Sequence, residues 1–307
     1  MTLRSGFFAI LLAVGQCAGQ SATQSGETKI VVDTTLVVIP VTVTDPSNRF
    51  VLGLDKEDFT ILEDNVPQKI THFSGEDAPL SVGIVIDTSG SMGFKMDTSR
   101  RAVTEFLKTM NAQDEAFLIQ FSDRAEVVQG FTGDMRQIED HMKSLQSGGL
   151  TALLDAVELG VREMKKAKNP RKALVIVSDG GDNHSRYTAT DIKDVVREAA
   201  TQIFAFGVFD PVIFPQLSAE EVSGPRLLAQ IADQTGGRAF GASQFSQLPG
   251  IAEKIAIELR NQYVLAYAPA NHERDGKYRH VEVRVHQPRG LPALKARWRS
   301  GYYAPSQ

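Results

Sequence analysis

Asp87, Ser89 and Ser91 alternate at the end of the run Val82-Gly83-Ile84-Val85-Ile86-Asp87-Thr88-Ser89-Gly90-Ser91-Met92. They bring one carboxylate and two hydroxyls into a single short loop. A hard divalent cation such as Mg2+ takes such oxygens in near-octahedral array and keeps several of its waters. Two other stretches carry matching donors. Ser147-Gly148-Gly149-Leu150-Thr151 is a glycine-rich turn with Thr151 at the start of a helical pattern, and Ala173-Leu174-Val175-Ile176-Val177-Ser178 runs into Asp179-Gly180. The first trio alone also suits ordinary turn chemistry, because Asp and Ser side chains commonly hydrogen-bond their own loop backbone. Recurrence of oxygen donors on three separate loops raises the metal reading above it.

These loops need a scaffold that brings them to one place. The runs 82–87 and 173–178 are short, apolar and β-branched, as in strands buried on both faces of a parallel sheet. Open α/β sheets bind ligands at the carboxyl ends of their strands, and both runs end in their aspartate there. Strand and helix patterns alternate through the surrounding chain. Strands are expected at 116–121, 126–130, 173–178, 203–208 and near 239–240, helices through Ala102, Val103, Phe106, Leu107 and Met110, then at 151–164, 191–200 and 245–259, and a further element of unassigned type at 227–232. This implies a doubly wound, mostly parallel sheet with helices on both faces. The stretch 209–225 is apolar, bears prolines and lacks periodicity, so it reads as a loop near the site.

The set Asp87, Ser89, Ser91, Thr151 and Asp179 resembles the five-residue metal-ion-dependent adhesion site (MIDAS) of the von Willebrand factor A family in order, strand-end placement and spacing. The resemblance covers roughly 78–262. It implies a Rossmann-like domain holding Mg2+, with Mn2+ or Ca2+ as substitutes. It further implies that Ser89 and Ser91 ligate directly, that Thr151 does so when a ligand is engaged, and that Asp87 and Asp179 act largely through water. One coordination position then stays open for an acidic group on a protein or peptide partner.

Strand-rich flanks adjoin this region. Val41-Thr42-Val43-Thr44, Phe59-Thr60-Ile61-Leu62-Glu63 and Gln68-Lys69-Ile70-Thr71-His72-Phe73 precede it; Gln262-Tyr263-Val264-Leu265-Ala266-Tyr267, 279–285 and 294–298 follow it. Neither flank has enough strands for independent stability, so the two are expected to pair into one β-sandwich. Separate small sheets packed on the central domain are the alternative. Val41-Thr42-Val43-Thr44-Asp45, Gly53-Leu54, Asp58-Phe59 and Glu63-Asp64 resemble the N-terminal half of a secreted, mainly acidobacterial A-domain-related family, and Gln262-Tyr263-Val264-Leu265 with the terminal Gly301-Tyr302-Tyr303 its C-terminal half. The expected organisation is a signal peptide at 1–19, a linker at 20–28, an N-terminal β region at 29–77, the A domain at 78–261 and a C-terminal β region at 262–307.

The leader reading rests on Arg4, the apolar run 7–14 and the small residues after it, a stretch too short for a permanent span. Cys17 is the only cysteine. Gln16 before it argues against lipid attachment, which calls for a small residue there. With Cys17 removed, disulfides and thiolate chemistry are excluded. A net charge of −4 over 307 residues gives no basic footprint for nucleic acid, and no phosphate-binding glycine motif is present. Asp182, Asn183 and His184 read as a solvated loop, and the basic run 165–172 as a solvated helix end. Trp298 to Tyr303 reads as strand packing rather than a carbohydrate shelf. The function expected is therefore an exported, non-enzymatic binding protein serving adhesion, envelope assembly or complex formation. A metal-assisted hydrolase using Asp87 and Asp179, and a structural protein with a vestigial site, are the alternatives.

Overall fold

Two apolar runs form the middle of the central sheet because every one of their side chains can be buried. In a computed structural model that describes residues 36–208, 219–242, 244–287, 290 and 292–306, the strand Leu80–Asp87 is buried along its whole length. The expected leader and linker and the run Ile30-Val31-Val32 lie outside the described residues.

The N-terminal flank supplies β1 (Val37–Thr44), β2 (Phe59–Glu63), β3 (Val66–Gln68) and β4 (Ile70–Ser74). The central region follows as β5 (Leu80–Asp87), α1 (Met96–Leu107), β6 (Glu115–Phe121), β7 (Ala125–Thr132), α2 (Met135–Ser144), α3 (Leu153–Met164) and β8 (Arg171–Ser178). It continues with α4 (Ala189–Glu198), β9 (Gln202–Val208), α5 (Ala219–Gln234), β10 (Arg238–Ala242) and α6 (Leu248–Arg260). The C-terminal flank adds β11 (Gln262–Tyr267), β12 (Tyr278–Val285), β13 (Lys295–Arg297) and β14 (Gly301–Tyr303).

The six-stranded sheet runs β10-β9-β8-β5-β6-β7, parallel except for β7, which returns antiparallel beside β6. Alternation along β5 divides its side chains between two cores. Val82, Ile84 and Ile86 pack with α1, α2 and α6, whereas Val85 packs with α3, α4 and α5. Both layers are thus filled, as a doubly wound fold requires.

The flanks form two four-stranded sheets, β13-β1-β11-β4 and β14-β12-β2-β3, each built from both ends of the chain. Their facing sides share one core through Ile39, Val41, Phe59, Ile61, Leu265 and Val283. Tyr267 on one sheet and Tyr302 on the other both donate to the buried carboxylate of Glu63, at 2.7 and 2.8 Å. This is the sandwich expected from the sequence, not separate sheets. Trp298 packs against this core and donates its indole N–H to the Val281 carbonyl at 2.9 Å, so it serves the sandwich.

Several local expectations are corrected. Helix α2 was not expected, because only Ile138 and Met142 of its largely charged sequence are buried; its start is marked by Asp134, whose side chain accepts from Arg136 N. Within 209–225, read from sequence as a loop, residues 219–225 belong to α5. Pro225 removes one helical hydrogen bond there, while buried Leu228, Ile231 and Ala232 anchor the helix further on. The segment 209–218 lies outside the described residues. Arg171, placed in a solvated basic run, is buried and paired with Asp77 at 3.2 Å. Met110 lies beyond the end of α1.

Candidate metal centre

Asp87 is the last residue of β5, and the loop after it starts from a fixed point. Thr88 donates both its N–H and its hydroxyl to the Phe121 carbonyl at the end of β6, at 2.8 and 2.9 Å. Ser89 N–H closes back onto Asp87 Oδ1 at 2.8 Å, which curls the loop and holds that carboxylate. The Ser89 and Ser91 hydroxyl oxygens then stand 3.1 Å apart. Met92 is wholly buried in the core beneath them and anchors the 3-10 turn Gly90–Lys95.

The second loop is stitched to the first. Gly90 N–H donates to Gly149 O at 3.0 Å, and Gly148 N–H to Thr88 O at 2.8 Å. Gly149 takes φ +83°, a region that glycine enters without a Cβ penalty. Thr151 follows, buried, with its N–H donated to Asn183 Oδ1 at 2.9 Å. Its carbonyl accepts from Asn183 N–H and His184 N–H at 3.0 and 3.1 Å. Asp182 and Ser185 accept from the orphan N–H groups at the start of α3. Asp182, Asn183 and His184, read from sequence as a solvated loop, therefore join Ser185 in clamping the Thr151 loop, although the His184 side chain is exposed.

The third loop leaves β8. Ser178 sits one residue beyond the Ile86–Val177 register pair, and its hydroxyl donates to Asp87 Oδ2 at 2.6 Å while accepting from Gly180 N–H at 2.9 Å. Gly180 has φ +81°, and a Cβ there would lie 2.6 Å from the Gly224 carbonyl carbon. Helix α5 thus presses its backbone onto this loop. Asp179 receives Gly181 N–H on Oδ1 at 3.3 Å and the Lys95 ammonium on Oδ2 at 2.8 Å.

All five residues nominated from sequence consequently lie on three adjoining loops, two that follow the strands β5 and β8 and one, bearing Thr151, that joins α2 to α3 rather than leaving a strand end as the resemblance implied. Asp87, Ser89, Thr151 and Asp179 are buried, while Ser91 is half-buried and 146–150 are exposed, so the cluster opens to solvent on one side. Burial pushes the Asp87 carboxyl up from 3.8 to about 7, and the charge of Asp179 adds to the rise; hydrogen bonds from Ser178 and Ser89 oppose it. Two carboxylates and one ammonium leave the ionised cluster with a surplus negative charge. The arrangement suits an oxygen-seeking dication. An octahedral ion with ligands at about 2.1 Å sets neighbouring ligands about 3 Å apart, and the two serine oxygens stand at 3.1 Å. Among the described residues no group of three or more His, Cys, Asp and Glu side chains gathers as for a metal ion, so hydroxyls must supply part of any shell.

Lys95 and Ser178 escaped the sequence reading, though both left a trace. Met92, Lys95, Met96, Ser99 and Val103 recur at helical spacing, which turns Lys95 inward with the apolar residues. Ser178 precedes Asp179 on a strand next to the one that ends in Asp87.

Comparison with known proteins agrees with the fold. Residues 82–181 match the family model described as von Willebrand factor type A domain. Inter-alpha-trypsin inhibitor heavy chain 4 of Mus musculus is 27% identical over 185 residues, 54% of this chain and 20% of that protein. An uncharacterized protein of Borreliella burgdorferi is 22% identical over 226 residues, 64% of this chain and 65% of its own. Among solved structures, proximal thread matrix protein 1 from the mussel byssus superposes with a TM-score of 0.51 at 17% identity, over 64% of this chain and 51% of that one. A second structure of that protein, also at TM-score 0.51, is described as having a zinc-occupied MIDAS motif. Over residues 82–181 the central region of this chain has the sequence pattern of a von Willebrand factor type A domain. The chain spans only about a fifth of the length of the mouse heavy chain.

Proposed function

We propose that this chain is an exported binding protein that engages an acidic group on a protein or peptide partner through a divalent cation held by Asp87, Ser89, Ser91, Thr151 and Asp179. The observation that carries the reading is the convergence of these oxygens on three hydrogen-bonded loops, with Ser89 and Ser91 at the spacing of adjacent octahedral ligands. In this reading Ser89 and Ser91 supply hydroxyl ligands, Thr151 adds a third, and Asp87 and Asp179 supply the compensating charge. The cation, Mg2+ or its substitutes Mn2+ and Ca2+, supplies an electrophilic position for a partner's carboxylate. Zinc at the byssal protein's motif adds Zn2+ to the candidates.

Binding fits the site better than turnover. Asp87 is engaged by Ser89 and Ser178, and Asp179 by Lys95 and Gly181, so neither carboxylate is poised as a general base. The rim also suits a protein surface: Phe94 is 84% exposed and Leu150 is 46% exposed, one on each of the two loops that face each other at the mouth. Aromatic and aliphatic anchors beside a charged contact are the usual make-up of a binding hot spot. Export rests on reading 1–19 as a cleaved leader and 20–28 as a linker. Among the described residues no helix is long and apolar enough to cross a membrane.

The test uses residues 20–307 as bait against the exported fraction of the source organism. We expect a partner retained by wild type with Mg2+ and lost with chelator, in Asp87→Ala and in Phe94→Ser. Retention unchanged by chelator and by Asp87→Ala would place binding elsewhere on the protein and refute the proposal.

A further inference from the structure

Lys95 has no part in the oxygen set, yet its ammonium lies inside the cluster. It is 3% exposed and sits 2.8 Å from Oδ2 of Asp179, which is itself 2% exposed. Burying an ammonium is costly unless an opposite charge compensates it, so its position has a physical reason. The lysine is also held where it is. Met92 and Met96 on either side are buried in the core, and Ser99 donates its hydroxyl to the Lys95 carbonyl at 2.9 Å. Withdrawing the side chain to solvent would require repacking the start of α1.

We propose that Lys95 is a built-in counter-cation that weakens divalent-cation binding on its own and couples it to the arrival of an acidic partner. The inference rests on the metal reading of the site given above and deepens it. With Asp87 and Asp179 ionised, Lys95 lowers the negative charge offered to a dication from two to one. The occupied cluster is then left with a net positive charge, which a partner's carboxylate neutralises. Without the Lys95 charge, the two carboxylates would balance a dication completely. The cation would then stay bound without a partner, and the attraction for an acidic group would fall. Because unit charges inside a protein interact strongly at these separations, the effect on affinity is large enough to measure directly.

The experiment titrates Mn2+ into full-length wild type, Lys95→Gln and Lys95→Met, with free Mn2+ followed by electron paramagnetic resonance. Titrations are run in sodium chloride and in sodium acetate at equal ionic strength. Lys95→Gln keeps a donor for Asp179 and Lys95→Met fills the same volume, so two different substitutions remove the charge; circular dichroism checks that each folds. We expect both neutral variants to bind Mn2+ at least about tenfold more tightly than wild type in chloride. We also expect acetate to tighten Mn2+ binding in wild type more than in either variant. Equal or weaker Mn2+ binding by a folded neutral variant would overturn the inference, while loss of wild-type binding in Ser89→Ala/Ser91→Ala would leave the metal reading intact. No Mn2+ binding by any of the proteins would overturn that reading and the inference with it.

Discussion

Asp87→Asn should stabilise the metal-free protein, and only at higher pH. Asp87 is wholly buried beside a second buried carboxylate, which pushes its carboxyl up from 3.8 to about 7. Between those values the folded chain holds a proton that the unfolded chain releases. The folded state binds more protons there, so stability falls as pH rises through the window. At ~1.4 kcal/mol for each tenfold change in proton affinity, the loss has an upper bound on the order of 4 kcal/mol. Asparagine has nearly the same shape, can still accept from Ser89 N–H, and carries no charge to desolvate. The assay is urea unfolding in chelator at about pH 5 and about pH 8, comparing wild type with Asp87→Asn; carboxylates remote from the cluster titrate in both proteins and cancel in the difference. The variant should gain on wild type by roughly 1–3 kcal/mol between the two conditions, because part of the window lies below pH 5. Saturating Mg2+ at the higher pH should stabilise wild type by mass action and leave the variant unmoved. A variant-minus-wild-type difference that is the same at both pH values would refute the electrostatic account of this cluster.

Two further outcomes test the scaffold. Gly180→Ala puts a Cβ at φ +81° and 2.6 Å from the Gly224 carbonyl carbon; a loss of at least about 2 kcal/mol and weaker Mn2+ binding are expected by thermal melting and titration, since the loop bearing Asp179 must move off α5. Tyr267→Phe removes a hydroxyl that donates to Glu63 at 2.7 Å, leaving Tyr302 as the remaining tyrosine donor to that buried carboxylate; a cost of about 1–3 kcal/mol with Mn2+ affinity unchanged is expected, because the sandwich lies apart from the metal loops.

The legible parts of this protein were those in which local pattern and burial coincide. The run Leu80–Asp87 could only be a strand covered on both faces, and β11 falls on the expected residues Gln262–Tyr267. The less legible parts depend on a minority of side chains. Helix α2 buries only Ile138 and Met142, too few for a persuasive period, and α5 carries a proline that reads as a breaker. Arg171 looks solvated beside Lys165, Lys166 and Lys168, but its side chain is buried and pairs with Asp77, which is distant in sequence and exposed.

The sequence by itself determined the alternation of strands and helices, the three donor-bearing loops and the nominated oxygens Asp87, Ser89, Ser91, Thr151 and Asp179, because hydrophobic period and residue type are local properties. Tertiary structure alone decided what surrounds those oxygens. Ser178 reaches Asp87 only because β8 lies beside β5 in that register. Asn183 holds Thr151 only because two loops meet, and Lys95 enters the cluster only because its turn packs against the end of β8. The charge of the cluster is a sum over residues brought together from distant parts of the chain, and such a sum exists only once the chain has folded.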